Sequence, residues 1–115
     1  MIKVYGIPNC NTVKKAMDWL KENDLQYEFH DYKKKGITAD KLNEWSDYFG
    51  WENIINKNGT TWKGLDDQEK ESVKDQKSSV TFLAEKTSAI KRPIVESNGN
   101  YLIRFDEQEY SKKLL

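Results

Sequence analysis

The chain opens with a stretch, residues 2–23, that reads IKVYGIPNCNTVKKAMDWLKEN and decides how the fold begins. Residues 2–5 are largely apolar and favour β-structure, and Gly6-Ile7-Pro8 ends the strand. From residue 11 to residue 23, apolar side chains recur at i, i+3, i+4 and i+7, which is the spacing of an amphipathic helix. Those side chains are Val13, Ala16, Met17 and Leu20. The stretch therefore predicts a strand, a tight turn and a helix.

A second strand is predicted over residues 26–32, because aromatic and polar side chains alternate there. Tyr27 and Phe29 would face one side of the sheet, and Glu28 and His30 the other. The connection through the intervening helix has a length that suits a right-handed crossover between parallel strands. The chain thus begins with a βαβ unit.

The middle of the chain is predicted to be helical. Thr38 is a candidate N-cap for a helix whose apolar stripe continues to Phe49. A capping box at Asp66 begins a segment that is poor in large apolar residues, so this segment is either an exposed helix or no helix. A stronger amphipathic pattern follows Ser79. Residues 56–62 are interpreted as a polar, turn-rich loop.

The end of the chain predicts a hairpin and a final helix. Asn98-Gly99 is a strong signal for a two-residue turn between antiparallel strands at 94–97 and 101–104. A capping box at Asp106 predicts the start of the helix. The order is therefore βαβ, then helices, then ββα. Without repeats or linkers, this order indicates a single α/β domain over residues 1–115.

Composition excludes several classes of protein. The 115 residues are 37% hydrophobic and 33% charged, and no apolar run approaches the roughly 18 residues that a membrane-spanning helix needs. The start lacks the long apolar stretch of a signal peptide, so we expect a cytoplasmic protein with no membrane contact. The 19 basic and 19 acidic residues cancel, which disfavours direct nucleic-acid binding. Lys33-Lys34-Lys35 is interpreted as a solvated loop.

The chain has one cysteine, Cys10, and one histidine, His30. One cysteine cannot form an internal disulfide, and the two residues together cannot complete the four-ligand set of a structural zinc site. We therefore expect no metal site. His30 lies on an alternating strand with no nucleophile nearby in sequence, and we interpret it as structural.

Cys10 lies between the first strand and the first helix, where unpaired N–H groups and the positive end of the helix dipole favour an anion. An ordinary thiol with a pKa near 8.5 is only about 3% thiolate at pH 7. If its pKa is lowered by about two pH units, the thiolate becomes the major form. Lys14, one turn along the helix, could add to this effect or simply be solvated. The alternative for Cys10 is a small buried hydrophobe.

Four separated motifs are similar to the arsenate reductase ArsC/Spx family, and most closely to its YffB-like branch. They are YGIPNCNTVKKA at residues 5–16, HDYK at 30–33, NGTTWK at 58–63 and IKRPI at 90–94. The resemblance covers essentially the whole chain. It implies a thioredoxin-like fold with a helical insertion and a mixed sheet. It also implies a cis peptide bond before Pro93, beside the cysteine loop.

The resemblance implies roles for several residues. Cys10 would be the nucleophile, and Arg92 and Arg104 would bind the substrate oxyanion. A further arginine of the family falls near Asn56 or Lys57 in this chain. A lysine at this place supplies charge but lacks the bidentate fork of a guanidinium.

The function implied is that of a monothiol reductase without a bound cofactor. Cys10 would attack arsenate or a mixed disulfide, and glutathione, with a glutaredoxin-type donor, would resolve the adduct. We expect the protein to act as a monomer. The alternative is an Spx-like regulator that binds the α subunit of RNA polymerase without turnover. Many such regulators carry a Cys-x-x-Cys switch, of which this chain has only the first thiol.

Overall fold

The computed structural model describes residues 1–115 and contains two compact units. The sheet unit comprises Met1–Lys35 and Arg92–Leu115, and the helical unit comprises Gly36–Lys91. The helical unit is thus inserted in sequence between the two halves of the sheet unit, as the predicted order of elements implied.

The sheet has four strands in the order β2-β1-β3-β4. They are β1 (Ile2–Gly6), β2 (Tyr27–Asp31), β3 (Ile94–Ser97) and β4 (Asn100–Ile103). β1 is parallel to β2 and antiparallel to β3, and β3 pairs with β4 through the predicted hairpin. The predicted mixed sheet is therefore confirmed, and β1 at its centre is followed directly by the cysteine loop.

Seven α-helices accompany the sheet. They are α1 (Asn11–Glu22), α2 (Tyr32–Lys35), α3 (Ala39–Phe49), α4 (Thr60–Lys63), α5 (Asp67–Ser72), α6 (Gln76–Glu85) and α7 (Glu107–Leu114). Two short 3₁₀ turns, Trp51–Ile54 and Thr87–Ala89, lie in the helical unit. None of these helices combines the length and the apolar character needed to cross a bilayer.

The core of the sheet unit lies on the face of the sheet that α1 and α7 cover. Alternation along the strands turns one set of apolar side chains to this face, and the helical period of α1 supplies the matching stripe. The indole of Trp19 packs edge-to-face on Tyr110, with ring centroids 5.6 Å apart. The buried members of this core are Ile2, Val4, Ala16, Trp19, Leu20, Val95, Leu102 and Tyr110.

Side-chain caps start three of the four α-helices of the helical unit, namely α3, α5 and α6. Thr38 accepts a hydrogen bond from the Lys41 amide at the start of α3, as predicted. The predicted capping box at Asp66 is present, and the helix it starts, α5, has no buried residue. A cap satisfies a backbone donor that the first turn of a helix leaves unpaired.

Some predicted boundaries are wrong, each for a local reason. α6 begins at Gln76 rather than after Ser79, because Asp75 is the N-cap and Ser78 is its partner in a capping box. The predicted strand over 26–32 ends at Asp31, whose carboxylate accepts a hydrogen bond from the Lys33 amide at 2.9 Å. The lysine run therefore forms an exposed helical turn, α2, instead of a loop.

The predicted loop over 56–62 also contains the start of a helix. α4 begins at Thr60, and Trp62 packs edge-to-face on Phe82 with centroids 5.9 Å apart. The hydroxyls of Thr61 and Ser88 lie 2.6 Å apart. A polar stretch thus becomes ordered through contacts with residues that are distant in the sequence.

Candidate active site

Cys10 is the N-cap of α1. Its backbone is extended (φ −126°, ψ 124°), and its carbonyl accepts a hydrogen bond from the Lys14 amide at 2.9 Å. Its side chain is partly exposed and makes no disulfide. An N-cap side chain lies beside the unpaired amides of the first turn, which is where a negative charge is stabilised.

Gly6 allows the start of α1 to approach the end of β1 closely. A Cβ atom at Gly6 would lie 2.8 Å from Cγ2 of Val13 and 3.7 Å from Cβ of Arg92. Val13 is fully buried and β-branched, so it has little room to move. The absence of a side chain at Gly6 therefore lets β1, α1 and the segment that carries Arg92 meet.

The surroundings of the Cys10 thiol lower its pKa. Partial burial raises the pKa, but the backbone N–H groups of Val13 and Thr12 lower it, and the side chain of Arg92 lowers it further. The net shift is below the ordinary value. The structure argues against a buried, inert cysteine, because the Cys10 side chain is partly exposed and interacts with Arg92.

Arg92 lies immediately before β3. The Arg92–Pro93 peptide bond is cis, as the resemblance implied. Pro93 is buried, and Arg92 is partly buried with its Nε atom inside the protein. The structure thus brings together three of the predicted site residues, Cys10, Arg92 and Pro93, although 82 positions separate the thiol from the guanidinium.

Arg104 follows β4, and its backbone is connected to the same region. Its amide donates a hydrogen bond to the Pro93 carbonyl at 2.7 Å. Its own carbonyl accepts a hydrogen bond from the Tyr110 hydroxyl, and its φ is 59°. The Arg104 side chain is exposed, and the interactions that lower the pKa of Cys10 come from Arg92. A role for Arg104 in binding an oxyanion stays a prediction.

Lys57 belongs to the helical unit. Its side chain is exposed, and its Nζ lies 5.4 Å from the centroid of the Trp62 ring. That separation is within the range of a cation–π contact. A role for Lys57 in binding substrate also stays a prediction.

Lys14 and His30 have other partners in this structure. Nζ of Lys14 pairs with Asp18 at 3.0 Å on an exposed helix face, which agrees with the solvated interpretation. The His30 ring lies 5.0 Å from the Tyr5 ring and 6.4 Å from the Tyr32 ring. This aromatic packing agrees with a structural role for His30.

Tyr32 is a residue near the site that the pattern of the sequence did not single out. It is 1% exposed, and burial raises the pKa of its hydroxyl well above the ordinary value, against the opposing charge of Arg92. The only available signal was its place in the HDYK motif. An aromatic residue at the end of an alternating strand otherwise looks like ordinary core.

A thiol whose pKa is lowered and that faces a guanidinium can act as a nucleophile toward a substrate that carries negative charge. The helix amides and the guanidinium favour the thiolate, and the thiolate is the reactive form. No group of three or more His, Cys, Asp or Glu side chains could hold a metal ion. The lowered pKa of the thiol and the positive charge of Arg92 suit the site to thiol chemistry.

The sequence and the structure of the chain were compared with those of known proteins. The ArsC family matches residues 5–113 of the chain. Among solved structures, the YFFB protein is 36% identical, with a TM-score of 0.95 and full coverage of both chains. An arsenate reductase (ArsC) related protein from Brucella melitensis is 34% identical, with a TM-score of 0.75 over 97% of this chain and 92% of that one.

Two curated relatives extend the comparison. An uncharacterised protein of Haemophilus influenzae is 44% identical over 110 residues, which is 96% of each chain. The global transcriptional regulator Spx of Streptococcus mutans is 27% identical over 95% of this chain and 80% of its own length. The two solved structures described above confirm the thioredoxin-like fold that the four motifs implied.

Proposed function

Because the chain belongs to the ArsC family, we propose that it is a monothiol reductase whose nucleophile is Cys10. The observation that carries the proposal is the location of Cys10 at the N-cap of α1, where the backbone of Val13 and Thr12 and the side chain of Arg92 lower the pKa of its partly buried thiol. The substrate class is a mixed disulfide or an oxyanion such as arsenate. The similarity to an arsenate reductase related protein supports the second choice.

With a mixed disulfide, the Cys10 thiolate attacks one sulfur and the other sulfur leaves as a thiolate. Cys10 then carries a new disulfide. Because the chain has no second cysteine, an external thiol must attack this disulfide and restore the Cys10 thiolate. Glutathione, or a glutaredoxin-type donor, has the required chemistry.

With arsenate, the thiolate forms a sulfur–arsenic bond and an arsenate oxygen leaves as water. An external thiol then attacks the Cys10 sulfur, and the electron pair of the sulfur–arsenic bond remains on arsenic, which becomes arsenic(III). A second external thiol reduces the resulting disulfide on Cys10. Two thiols are oxidised to one disulfide for each arsenic that gains two electrons. Arg92 would bind an arsenate oxygen through its planar fork of donors.

The proposal is tested by measuring turnover of arsenate and of a glutathione mixed disulfide with the wild type and with Cys10→Ser. We expect thiol-dependent turnover of at least one substrate by the wild type and none by the variant. Turnover that survives in Cys10→Ser would contradict the proposal, and so would the absence of turnover of both substrates by wild-type protein with a full supply of glutathione and glutaredoxin.

A second candidate function is that of a regulator that binds the α subunit of RNA polymerase. The observation that favours it is the similarity to the transcriptional regulator Spx along 95% of the chain. Its test is a binding assay between purified α subunit and this protein, with Cys10→Ser as a second sample. Binding that is equal in both samples, without thiol-dependent turnover, would favour the regulator.

A further inference from the structure

The dipeptide Asn-Gly occurs twice in the chain, at residues 58–59 and 98–99. Asparagine is one of the thermally labile residues. A glycine after it has no Cβ atom to obstruct attack by the glycine nitrogen on the asparagine side chain. The two dipeptides share this intrinsic chemistry, so the fold decides which of them reacts in the native protein.

Asn98 and Gly99 form the turn between β3 and β4. Their φ values are 49° and 81°, and a type I′ hairpin turn requires such positive values at both central residues. Both residues are exposed, and a Cβ atom on Gly99 would meet no atom within 4 Å. No backbone hydrogen bond holds the Gly99 amide. The Gly99 nitrogen and the Asn98 side chain are therefore accessible to each other and to water.

The position of this turn in the sheet allows it to open. Its two residues are enclosed by a single pair, Ser97 with Asn100, which is the last pair of the hairpin. The last pair of a hairpin opens more readily than the pairs within it, because its free side has no neighbouring pair. The backbone rotation that brings the Gly99 nitrogen onto Cγ of Asn98 thus needs only local opening.

The loop around Asn58 holds the other dipeptide. The Asn58 amide donates a hydrogen bond to Oδ1 of Asn56 at 3.3 Å, and the Gly59 amide donates one to the Asn56 carbonyl at 3.5 Å. Gly59 is also the N-cap of α4, and a Cβ atom on it would lie 2.8 Å from Nδ2 of Asn56. The nitrogen that would have to attack is engaged and crowded at Gly59.

We infer that Asn98 is a site of spontaneous deamidation in the folded protein and that the loop protects Asn58. The Gly99 nitrogen loses its proton to base and attacks Cγ of Asn98. A carbon–nitrogen bond forms, the bond from Cγ to Nδ2 breaks, and Nδ2 leaves as ammonia. Water then opens the succinimide ring at either carbonyl, which gives aspartate or isoaspartate. Water is the only co-reactant, and nothing is oxidised or reduced.

The products differ from the original chain in charge and in backbone. Because the 19 basic and 19 acidic residues cancel, the new carboxylate gives the chain a net negative charge. Isoaspartate also adds a carbon atom to the main chain within the turn. A two-residue turn fixes the register of the strands that it joins, so isoaspartate should weaken the pairing of β3 with β4. This inference concerns the hairpin and does not depend on the proposed function.

The experiment incubates the wild type for several weeks at mildly alkaline pH, both folded and in concentrated guanidinium chloride. Peptide mapping by mass spectrometry follows the gain of about 1 Da that deamidation causes at each asparagine. The denatured sample is the matched control, because it keeps both dipeptides and removes their structures. Asn98→Gly is a second control, since glycine tolerates the positive φ of the turn and carries no side-chain amide.

The deciding quantity is the ratio of the folded rate to the denatured rate at each asparagine. We expect this ratio to be several-fold higher for Asn98 than for Asn58. The folded wild type should also gain an acidic species on anion exchange that Asn98→Gly does not gain. Equal ratios, a higher ratio for Asn58, or the same acidic species in Asn98→Gly would overturn the inference.

A measurement on the product tests the effect on the hairpin. The acidic species is purified, and isoaspartate is identified in it by methyl transfer from a purified isoaspartyl methyltransferase. The species with isoaspartate should unfold at a lower urea concentration than the unmodified protein. An unchanged unfolding midpoint would contradict the expected loss of strand pairing.

Discussion

The sheet unit and the helical unit both make local and long-range polar contacts, but only in the sheet unit does a long-range contact reach the candidate nucleophile. In the sheet unit, Arg92 acts on Cys10 across 82 positions of sequence, and Tyr5 bonds Glu96 across 91. In the helical unit, many polar contacts are local, such as the caps at Thr38, Asp66 and Asp75. Contacts between distant segments create chemistry that neither segment has alone, whereas local caps stabilise the helix on which they lie. Substitutions in the two units should therefore separate activity from stability.

The largest effect is expected from Cys10→Ser. A serine hydroxyl is not ionised at neutral pH and is a far weaker nucleophile, so turnover should fall by at least about 1,000-fold. The free energy of unfolding should change by less than about 1 kcal/mol at pH 7, because the residue is partly exposed. Turnover assays and urea unfolding measure the two quantities. An equal loss of folding stability and activity would mean that Cys10 is part of the core.

The same pair of proteins gives a pH test. The folded-state pKa of Cys10 lies below its unfolded value. The stabilisation is therefore fully present above the unfolded pKa, near 8.5, and is lost as pH falls through the folded pKa. The stability of the wild type relative to Cys10→Ser should rise with pH across that window, which urea unfolding at several pH values can follow. A difference that is flat, or that falls with pH, would contradict the direction of the shift.

Arg92→Lys is expected to have the next largest effect. It keeps the charge but loses the planar fork, so arsenate turnover should fall by about 100-fold, or roughly 2.7 kcal/mol, and disulfide turnover by much less. The kcat/KM values for the two substrates measure this difference. Arg104→Lys is the matched comparison, since Arg104 is exposed. Equal losses on both substrates would indicate that Arg92 positions the cysteine loop rather than binds an oxyanion.

Gly6→Ala tests the close approach in the sheet unit. The new methyl group would lie 2.8 Å from Cγ2 of Val13, and such overpacking in a rigid core should cost about 2 kcal/mol of unfolding free energy. It should also disturb Cys10 reactivity. Gly59→Ala is the control in the helical unit, because its Cβ also meets an atom at 2.8 Å, but that atom is Nδ2 at the end of the Asn56 side chain. If both variants lose the same stability, the contact with Val13 is not special.

The smallest effect is expected from Asp75→Ala, which removes the capping box of α6. The loss should be about 1 kcal/mol of unfolding free energy, without a change in the alkylation rate of Cys10. Asp67→Ala is the control, because Asp67 lies in the first turn of α5 and is not its N-cap. Urea unfolding and alkylation at pH 7 measure both quantities. A change in Cys10 reactivity would show that the cap influences the thiol.

Local patterns in the sequence predicted most of the elements. The apolar spacing of α1 and the Asn98-Gly99 turn describe interactions between near neighbours, and both are present in the structure. The start of α6 was misplaced because the apolar spacing begins only after Ser79, whereas the helix begins at Gln76 behind the N-cap Asp75. Apolar spacing does not report a capping box, which depends on reciprocal side-chain geometry.

The candidate site could be predicted only in part. The location of Cys10 at a helix start follows from local sequence, whereas its meeting with Arg92 depends on the order of the strands and was available only through the family resemblance. Tyr32 was not singled out, because neither its burial nor its exposure to the charge of Arg92 can be read from an alternating strand. The pattern of a chain shows which face a residue occupies, and not which distant side chain it meets.

The most direct test of the account is the pKa of the Cys10 thiol in the wild type and in Arg92→Gln, measured from alkylation rates against pH. The account predicts a wild-type midpoint below the ordinary thiol value of about 8.5 and a higher midpoint in the variant. A wild-type midpoint at or above about 8.5, or a midpoint that does not move when the guanidinium is removed, would contradict it.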